Sequence, residues 1–133
     1  MPVLDTDILI SFLRNKKRAV QFIRDLTKKK STLKTTIITA AELYSGVYRS
    51  SNVAREIRIL EAFLETFEIL GIDMKSAIVY GQISADLHKR GTPVGVMDEI
   101  IAGIVIDNKE TLVTGNAKHF EKIPHIKLQN WKN

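Results

Sequence analysis

The sequence predicts a three-layer α/β domain with a mostly parallel central sheet flanked by helices. Three observations carry that prediction. Short apolar runs alternate with stretches of helical spacing. The 133 residues suffice for one core but not comfortably for two. No internal repeat, low-complexity segment or linker divides residues 1–133, which read as a single domain.

The elements follow in order. Val3-Leu4 is a first strand, ended by Asp5-Thr6 and running into a helix with Ile8, Leu9, Phe12 and Leu13 at helical spacing. Ala19, Phe22, Ile23 and Leu26 form a second amphipathic stretch that ends in a lysine run. Leu33 to Thr36 is the second strand, and Thr36 or Thr39 caps a helix through Ala41, Leu43, Tyr44 and Val47. Ser51-Asn52 opens a helix with Val53, Ile57, Leu60, Leu64 and Phe67 on one face. Ile69-Leu70 is a third strand, and Asp73 caps a helix that reaches His88 and stops at Gly91. After the Thr92-Pro93-Val94-Gly95 loop comes an apolar helix from Met97 to Val105. Thr111 to Thr114 reads as a strand, Asn116 to Phe120 as a turn or short helix, and Ile126 to Leu128 as the last strand.

Composition excludes several chemistries. Cysteine is absent, which removes disulfides, thiol catalysis and Cys-type zinc sites. The longest apolar run, Ile100 to Ile106, is far too short for a membrane span, and Asp5 and Asp7 interrupt any signal-peptide core. The cytoplasm is the expected location. Net charge is +5, and all of it lies in residues 1–67, which hold 12 Lys and Arg against 7 Asp and Glu. It is densest from Arg14 to Lys34: Arg14, Lys16, Lys17, Arg18, Arg24, Lys28, Lys29, Lys30 and Lys34 face only Asp25. Such a stripe attracts a polyanion through counterion release. It is equally the pattern of a solvated helix face.

In open parallel sheets, ligands gather beyond the carboxyl ends of the strands. Asp5 follows the first strand, Glu42 lies about a turn into the helix after the second, and Asp98 opens the helix after the Pro-Gly loop. Thr114 and Asn116 end the strand from Thr111. Converging there, they form an oxygen-only set that selects a hard ion, Mg²⁺ or Mn²⁺. Such an ion activates water and clamps a phosphoryl group. Each residue also has a structural role open to it. Asp5 and Asp7 can cap a helix or meet its positive end, Thr39 to Glu42 fits a capping box, and Asp98 can complement a helix dipole.

Other signals are weak. His88, His119 and His125 lack metal-ligand spacing and read as surface or structural residues, although a pair acting as acid and base on RNA is conceivable. Gly91 to Gly95 lacks the spacing and Lys of a phosphate loop. Tyr44, Tyr48, Tyr80 and Trp131 do not interleave with the basic stripe.

Four blocks in order, however, resemble the PIN-domain ribonucleases. They are Leu4 to Ile10, Thr39 to Gly46, Gly95 to Gly103 and Leu112 to Phe120, and Ile126 to Trp131 is similar to that family's last strand. Length and block spacing resemble the VapC toxins of toxin–antitoxin pairs. The resemblance implies a PIN-like fold over nearly the whole chain and hydrolysis of RNA phosphodiester bonds by metal-activated water, leaving a 5′-phosphate and a 3′-hydroxyl. It implies that Asp5, Glu42 and Asp98 bind the metal and that Thr6 and Thr114 support them. Asn116 stands where many relatives carry a fourth acid, which puts a complete second metal site in question. Asp7 stands where relatives often have Asn, a position of second rank. It further implies a homodimer and a small antitoxin laid across the site, with Phe12, Phe22, Tyr44 and Tyr48 as candidate contacts. The stripe (Arg14, Lys16, Lys17, Arg18, Lys28, Lys29 and Lys30) becomes a candidate contact for the RNA backbone.

Three other readings are open. Asp5-Thr6-Asp7 resembles the haloacid-dehalogenase phosphatase motif, but Leu9 stands where that motif has Thr or Val. A signalling receiver domain would use Asp73 as phosphoacceptor, with Lys127 near the last strand end. A non-catalytic binding module would use the acids only as caps or for charge mimicry.

Overall fold

The structure, a computed structural model, describes residues 2–29 and 31–133. Lys30, one of the candidate RNA contacts, lies outside the described residues. Strand β1 (Pro2–Leu4) leads into α1 (Thr6–Leu13) and α2 (Lys17–Lys28). Then come β2 (Lys34–Thr36), α3 (Ile37–Tyr48), α4 (Val53–Leu64) and β3 (Glu68–Leu70). The chain continues through α5 (Met74–Lys89), α6 (Val96–Asp107), β4 (Thr111–Val113), the single turn α7 (Ala117–Phe120) and β5 (Leu128–Gln129).

The strands form one sheet in the order β3-β2-β1-β4-β5, and every neighbouring pair is parallel. The expected α/β class stands, with the sheet wholly rather than mostly parallel. β5 lies slightly later than the apolar run Ile126 to Leu128 suggests. Backbone bonding fixes its position: Leu112 N–H donates to Lys127 C=O at 2.8 Å and Thr114 N–H to Gln129 C=O at 3.0 Å. Among the described residues, no helix is long and apolar enough to cross a membrane.

Alternation along each strand divides the core in two. Val3 pairs with Leu112 and Leu4 with Val113. Val3 and Leu112 join one cluster with Ile83, Leu87, Ile101 and Phe120. Leu4 and Val113 join the other with Ile8, Leu9, Leu43 and Leu60. Helices α5 and α6 therefore cover one face, and α1 to α4 the other. Each strand is only three residues or fewer, yet the central ones are buried on both faces, so they read as apolar runs rather than alternations.

Local chemistry sets the helix starts. The Asp5 carboxylate caps α1, Thr36 caps α3 and Asn52 caps α4. Asp73 forms a full capping box with Ser76 at the head of α5. The cap of α3 is thus Thr36, not Thr39, so Glu42 is free of the capping-box role its spacing suggested. Of the four aromatic residues proposed as partner contacts, Phe12 stacks on Phe63 at 5.1 Å, and Phe22 and Tyr44 are half-buried against the core. Only Tyr48 is largely exposed, at 63%.

α5 and α6 approach closely at Gly103. A Cβ there would lie 3.1 Å from the Tyr80 backbone nitrogen and 3.2 Å from the Ser76 carbonyl oxygen. Backbone atoms inside a helix yield little. Gly103→Ala should therefore part the two helices and destabilise the fold by about 1–3 kcal/mol, read by urea denaturation. An unchanged midpoint would show that the helices adjust freely.

Candidate active site

β1 lies between β2 and β4, and the chain leaves it in one direction and returns on the other side. This is the switch point at which parallel sheets open a crevice. Asp5 sits at its mouth. Its Oδ1 accepts from Thr6 N–H at 2.8 Å, and its Oδ2 accepts from the Thr114 hydroxyl at 2.8 Å. Thr114 in turn accepts from Asn116 N–H at 3.1 Å. Both predicted strand-end positions are thereby joined across 109 residues of sequence.

Asp5 is buried, with 7% of its surface exposed. Burial pushes its pKa from 3.8 up to about 6; the Thr6 amide and Thr114 hydroxyl oppose the rise, and the negative charges of Asp7 and Asp98 add to it.

The other acids are arranged around this one. Glu42 is exposed on α3, and its Oε1 accepts from the Thr6 hydroxyl at 2.7 Å. Thr6 also lies 3.2 Å from the Thr39 hydroxyl. Asp98 occupies the first turn of α6 beside the buried Glu99, whose Oε2 ties down the preceding loop by accepting from the N–H groups of Val94 and Gly95, each at 3.0 Å. Asp98 Oδ2 instead accepts from His119 Nε2 at 2.9 Å. Asn116 begins α7 without spending its side chain on a cap. A cavity of about 600 Å³ beside Glu42 is lined by Thr6, Ile10, Arg14, Ile38 and Met97, among others.

Asp7 does something different from its neighbours. Its Oδ2 accepts from Gly115 N–H at 2.7 Å and from the Trp131 indole N–H at 3.3 Å, while its Oδ1 is buried without a partner. It staples α1 to the loop after β4 and to the end of the chain. A Cβ at Gly115 would come within 2.5 Å of Asp7 Oδ2 and of the Lys132 side chain, so a larger residue would have to displace those side-chain ends.

An oxygen-only donor set of Asp5, Glu42 and Asp98 fits a hard divalent cation in its chemistry. A buried carboxylate pressed by two like charges fits one in its electrostatics. As they stand, Glu42 is held by Thr6 and Asp98 by His119. No group of three or more His, Cys, Asp or Glu side chains among the described residues is gathered in a metal-holding arrangement.

Two residues that the sequence left in the background belong to the site. His119 pairs with Asp98, and Trp131 with Asp7. The one sequence signal for His119 is its spacing of three from Asn116, which places both on one side of a helical turn.

The basic stripe borders several concavities, two of which share Val20 and Arg24. Arg14 lines the cavity beside Glu42, Lys17 and Arg18 line a separate one with Trp131, and Lys28 lines a third hollow under Phe12. Lys16 and Lys29 are the exposed residues flanking α2. Lys34 is committed to Glu110 at 2.8 Å and Glu68 at 3.6 Å.

The receiver-like reading finds no geometry. Asp73 follows β3 at the sheet's edge, not at the switch point, and its carboxylate is engaged by the Ser76 amide.

Comparison with known proteins agrees with the fold and with these blocks. The PIN domain family matches residues 3–126. The tRNA(fMet)-specific endonuclease VapC of Salmonella typhimurium is 34% identical over 129 residues, covering 97% of this chain and 96% of that protein. Ribonuclease VapC2 of Rickettsia felis is 32% identical over the same length and shares. Among solved structures, that of VapBC2 from Rickettsia felis bound to a DNA fragment from their promoter matches with a TM-score of 0.89 and 30% identity, over 98% of each chain.

The raised pKa of Asp5 has a definite sign. Its proton is held more tightly folded than unfolded, so its contribution is most favourable below pH 3.8 and is lost as pH rises through about 6. In chelator, Asp5→Asn should gain stability relative to the parent as pH climbs. The gap should widen by roughly 2–3 kcal/mol between about pH 4 and pH 7, measured by urea denaturation. A gap independent of pH would refute the assignment.

Proposed function

The chain belongs to the PIN-domain family and is closely related to the VapC toxins of toxin–antitoxin systems; on that premise we propose that it is a metal-dependent endoribonuclease, the toxin of a type II toxin–antitoxin pair, acting on cytoplasmic RNA. The observation that carries this reading is Asp5, a buried and electrostatically disfavoured carboxylate fixed at the switch point by Thr6 and Thr114. The RNA-cleaving relatives support RNA as substrate.

Asp5, Glu42 and Asp98 would hold Mg²⁺ or Mn²⁺, with Asn116 alongside. When bound, the ion lowers the pKa of water and neutralises charge on the phosphodiester in transit to products. The chain's own residues supply orientation. Thr114 and the Thr6 amide fix both oxygens of Asp5, so its charge points one way without side-chain entropy to lose on binding. The Thr6 hydroxyl holds Glu42 near the crevice, and His119 holds Asp98. A His N–H on the outer oxygen of a ligating carboxylate fixes its rotamer and sharpens its aim. Arg14, in the cavity with Glu42, is placed to meet a phosphate oxygen. Water adds to phosphorus and the bond to the 3′-oxygen breaks, giving a 5′-phosphate and a 3′-hydroxyl.

The toxin reading brings partners with it. The solved relative from Rickettsia felis is a VapBC2 complex on promoter DNA, which supports an antitoxin and a paired assembly for this chain. Val96, Met97 and Tyr48 are exposed by 62%, 54% and 63%, and Met97 borders the acid cavity. They offer apolar purchase for a peptide that crosses the site.

Incubating a cellular RNA pool with the protein and Mn²⁺ should give fragments with 5′-phosphate ends. Cleavage should vanish in chelator and in Asp98→Asn. Products ending in cyclic phosphates, or full activity in that variant, would exclude the mechanism.

Metal should also act on stability, independently of catalysis. Mn²⁺ at a hundred times its Kd should stabilise the parent by about 2.7 kcal/mol, seen as a higher Tm. Asp98→Asn should respond to the same concentration much less. A Tm indifferent to both Mn²⁺ and chelator would mean that the three acids share no ion.

A further inference from the structure

A second concavity, of about 700 Å³, lies between α2 and the end of the chain. Lys17, Arg18 and Arg24 line it, together with Phe22 and Trp131. None of the three cations has a hydrogen-bonded or ion-paired partner among the described residues. The one acid on its wall, Asp25, is engaged by the Gln21 amide at 2.8 Å. Three unpaired cations around one hollow make a site for a polyanion, and the half-buried Phe22 offers it a flat apolar face, while Trp131 is only 6% exposed.

Trp131 links this hollow to the acid site. One side of its ring borders the hollow, and its indole N–H bonds Asp7, two residues beyond Asp5. The hollow and the strand-end acids therefore share Trp131 as a neighbour.

We propose that the α2–Trp131 hollow is a second RNA-binding subsite, which holds the backbone and bases of single-stranded RNA flanking the cleavage point through Lys17, Arg18 and Arg24. The proposal rests on the ribonuclease reading for its choice of ligand. It also divides the basic stripe: Arg14 serves the scissile phosphate, the α2 cations serve its neighbours, and Lys34 serves neither.

The chain contains a single tryptophan, whose emission reports on the hollow and on the bond to Asp7, and the salt slope of the variant assigns the signal to the hollow. A short single-stranded oligouridylate is titrated in chelator, where it stays intact, and Trp131 fluorescence is followed at several salt concentrations. The RNA should change the emission with a strong salt dependence. Arg18→Gln combined with Arg24→Gln removes two phosphate contacts, so the slope of log affinity against log salt should fall by about 1.4. Between roughly 50 and 200 mM salt the variant should then lose about sevenfold less affinity than the parent. Both arginines are exposed, and the far-ultraviolet spectrum of the variant checks that it folds.

RNA binding that leaves Trp131 emission unchanged, or an unaltered slope in the variant, would overturn the subsite. Polyglutamate of equal charge competing as well as RNA would reassign the hollow to an acidic protein segment. Because no cleavage occurs in chelator, the two readings fail separately. A chain that shows the quench and slope but cuts no RNA keeps the subsite and loses the nuclease. One that cuts RNA without either signal keeps the nuclease and loses the subsite.

Discussion

One hydrogen bond organises this molecule: the Thr114 hydroxyl on the buried carboxylate of Asp5. A carboxylate at the end of a central strand has no water to satisfy it, so the protein must bring donors to both of its oxygens. The Thr6 amide can do this only if a helix starts at once, and Thr114 only if β4 lies beside β1 in one register. The strands therefore stop after three residues, and α1 begins where it does. Thr6, committed by its backbone to Asp5, turns its hydroxyl to Glu42 and so draws α3 to the same place. The same threonine oxygen, while donating to Asp5, accepts the Asn116 N–H and so anchors that residue.

That arrangement places charge where a stable core would avoid it. Asp7 carries a buried oxygen with no partner, and Asp5 a pKa near 6. Groups disfavoured in this way cluster where proteins bind and react. The surrounding structure holds them by over-determination. Asp7 is gripped by Gly115 and Trp131, and the Lys132 side chain lies across Gly115. The two apolar clusters, set by the alternation of Val3-Leu4 and Leu112-Val113, supply the rigidity that lets the acids stay.

Much of this was legible in the sequence because it is local. Asp73, Asn52 and the capping threonine announce helix starts by residue type, and the apolar runs announce the strands. The acids were legible as positions relative to strand ends, through the general rule for parallel sheets and the resemblance of four blocks. What sequence could not show are pairings without a period. Asp98 and His119 are 21 residues apart and Asp7 and Trp131 are 124 apart, so no spacing connects either pair. Glu42 was ambiguous because Thr39 offered a plausible cap, and only the backbone decides between Thr36 and Thr39. The lysine run looked continuous because one-dimensional charge hides distance along the helix: Lys17 and Lys28 share a face of α2 but lie about three turns apart, and they line different hollows.

The order of the strands also governs when the protein can act during its own synthesis. β1 is the first strand to leave the ribosome, but one of its two neighbours is β4, which comes more than a hundred residues later. Until then one edge of β1 stays unpaired and Asp5 lacks the hydroxyl that orients it. A nascent chain holding Asp5, Glu42 and even Asp98 has every acid and no assembled crevice. Trp131 then closes the last gap against Asp7. Topology thus delays assembly of the crevice until most of the chain has been made.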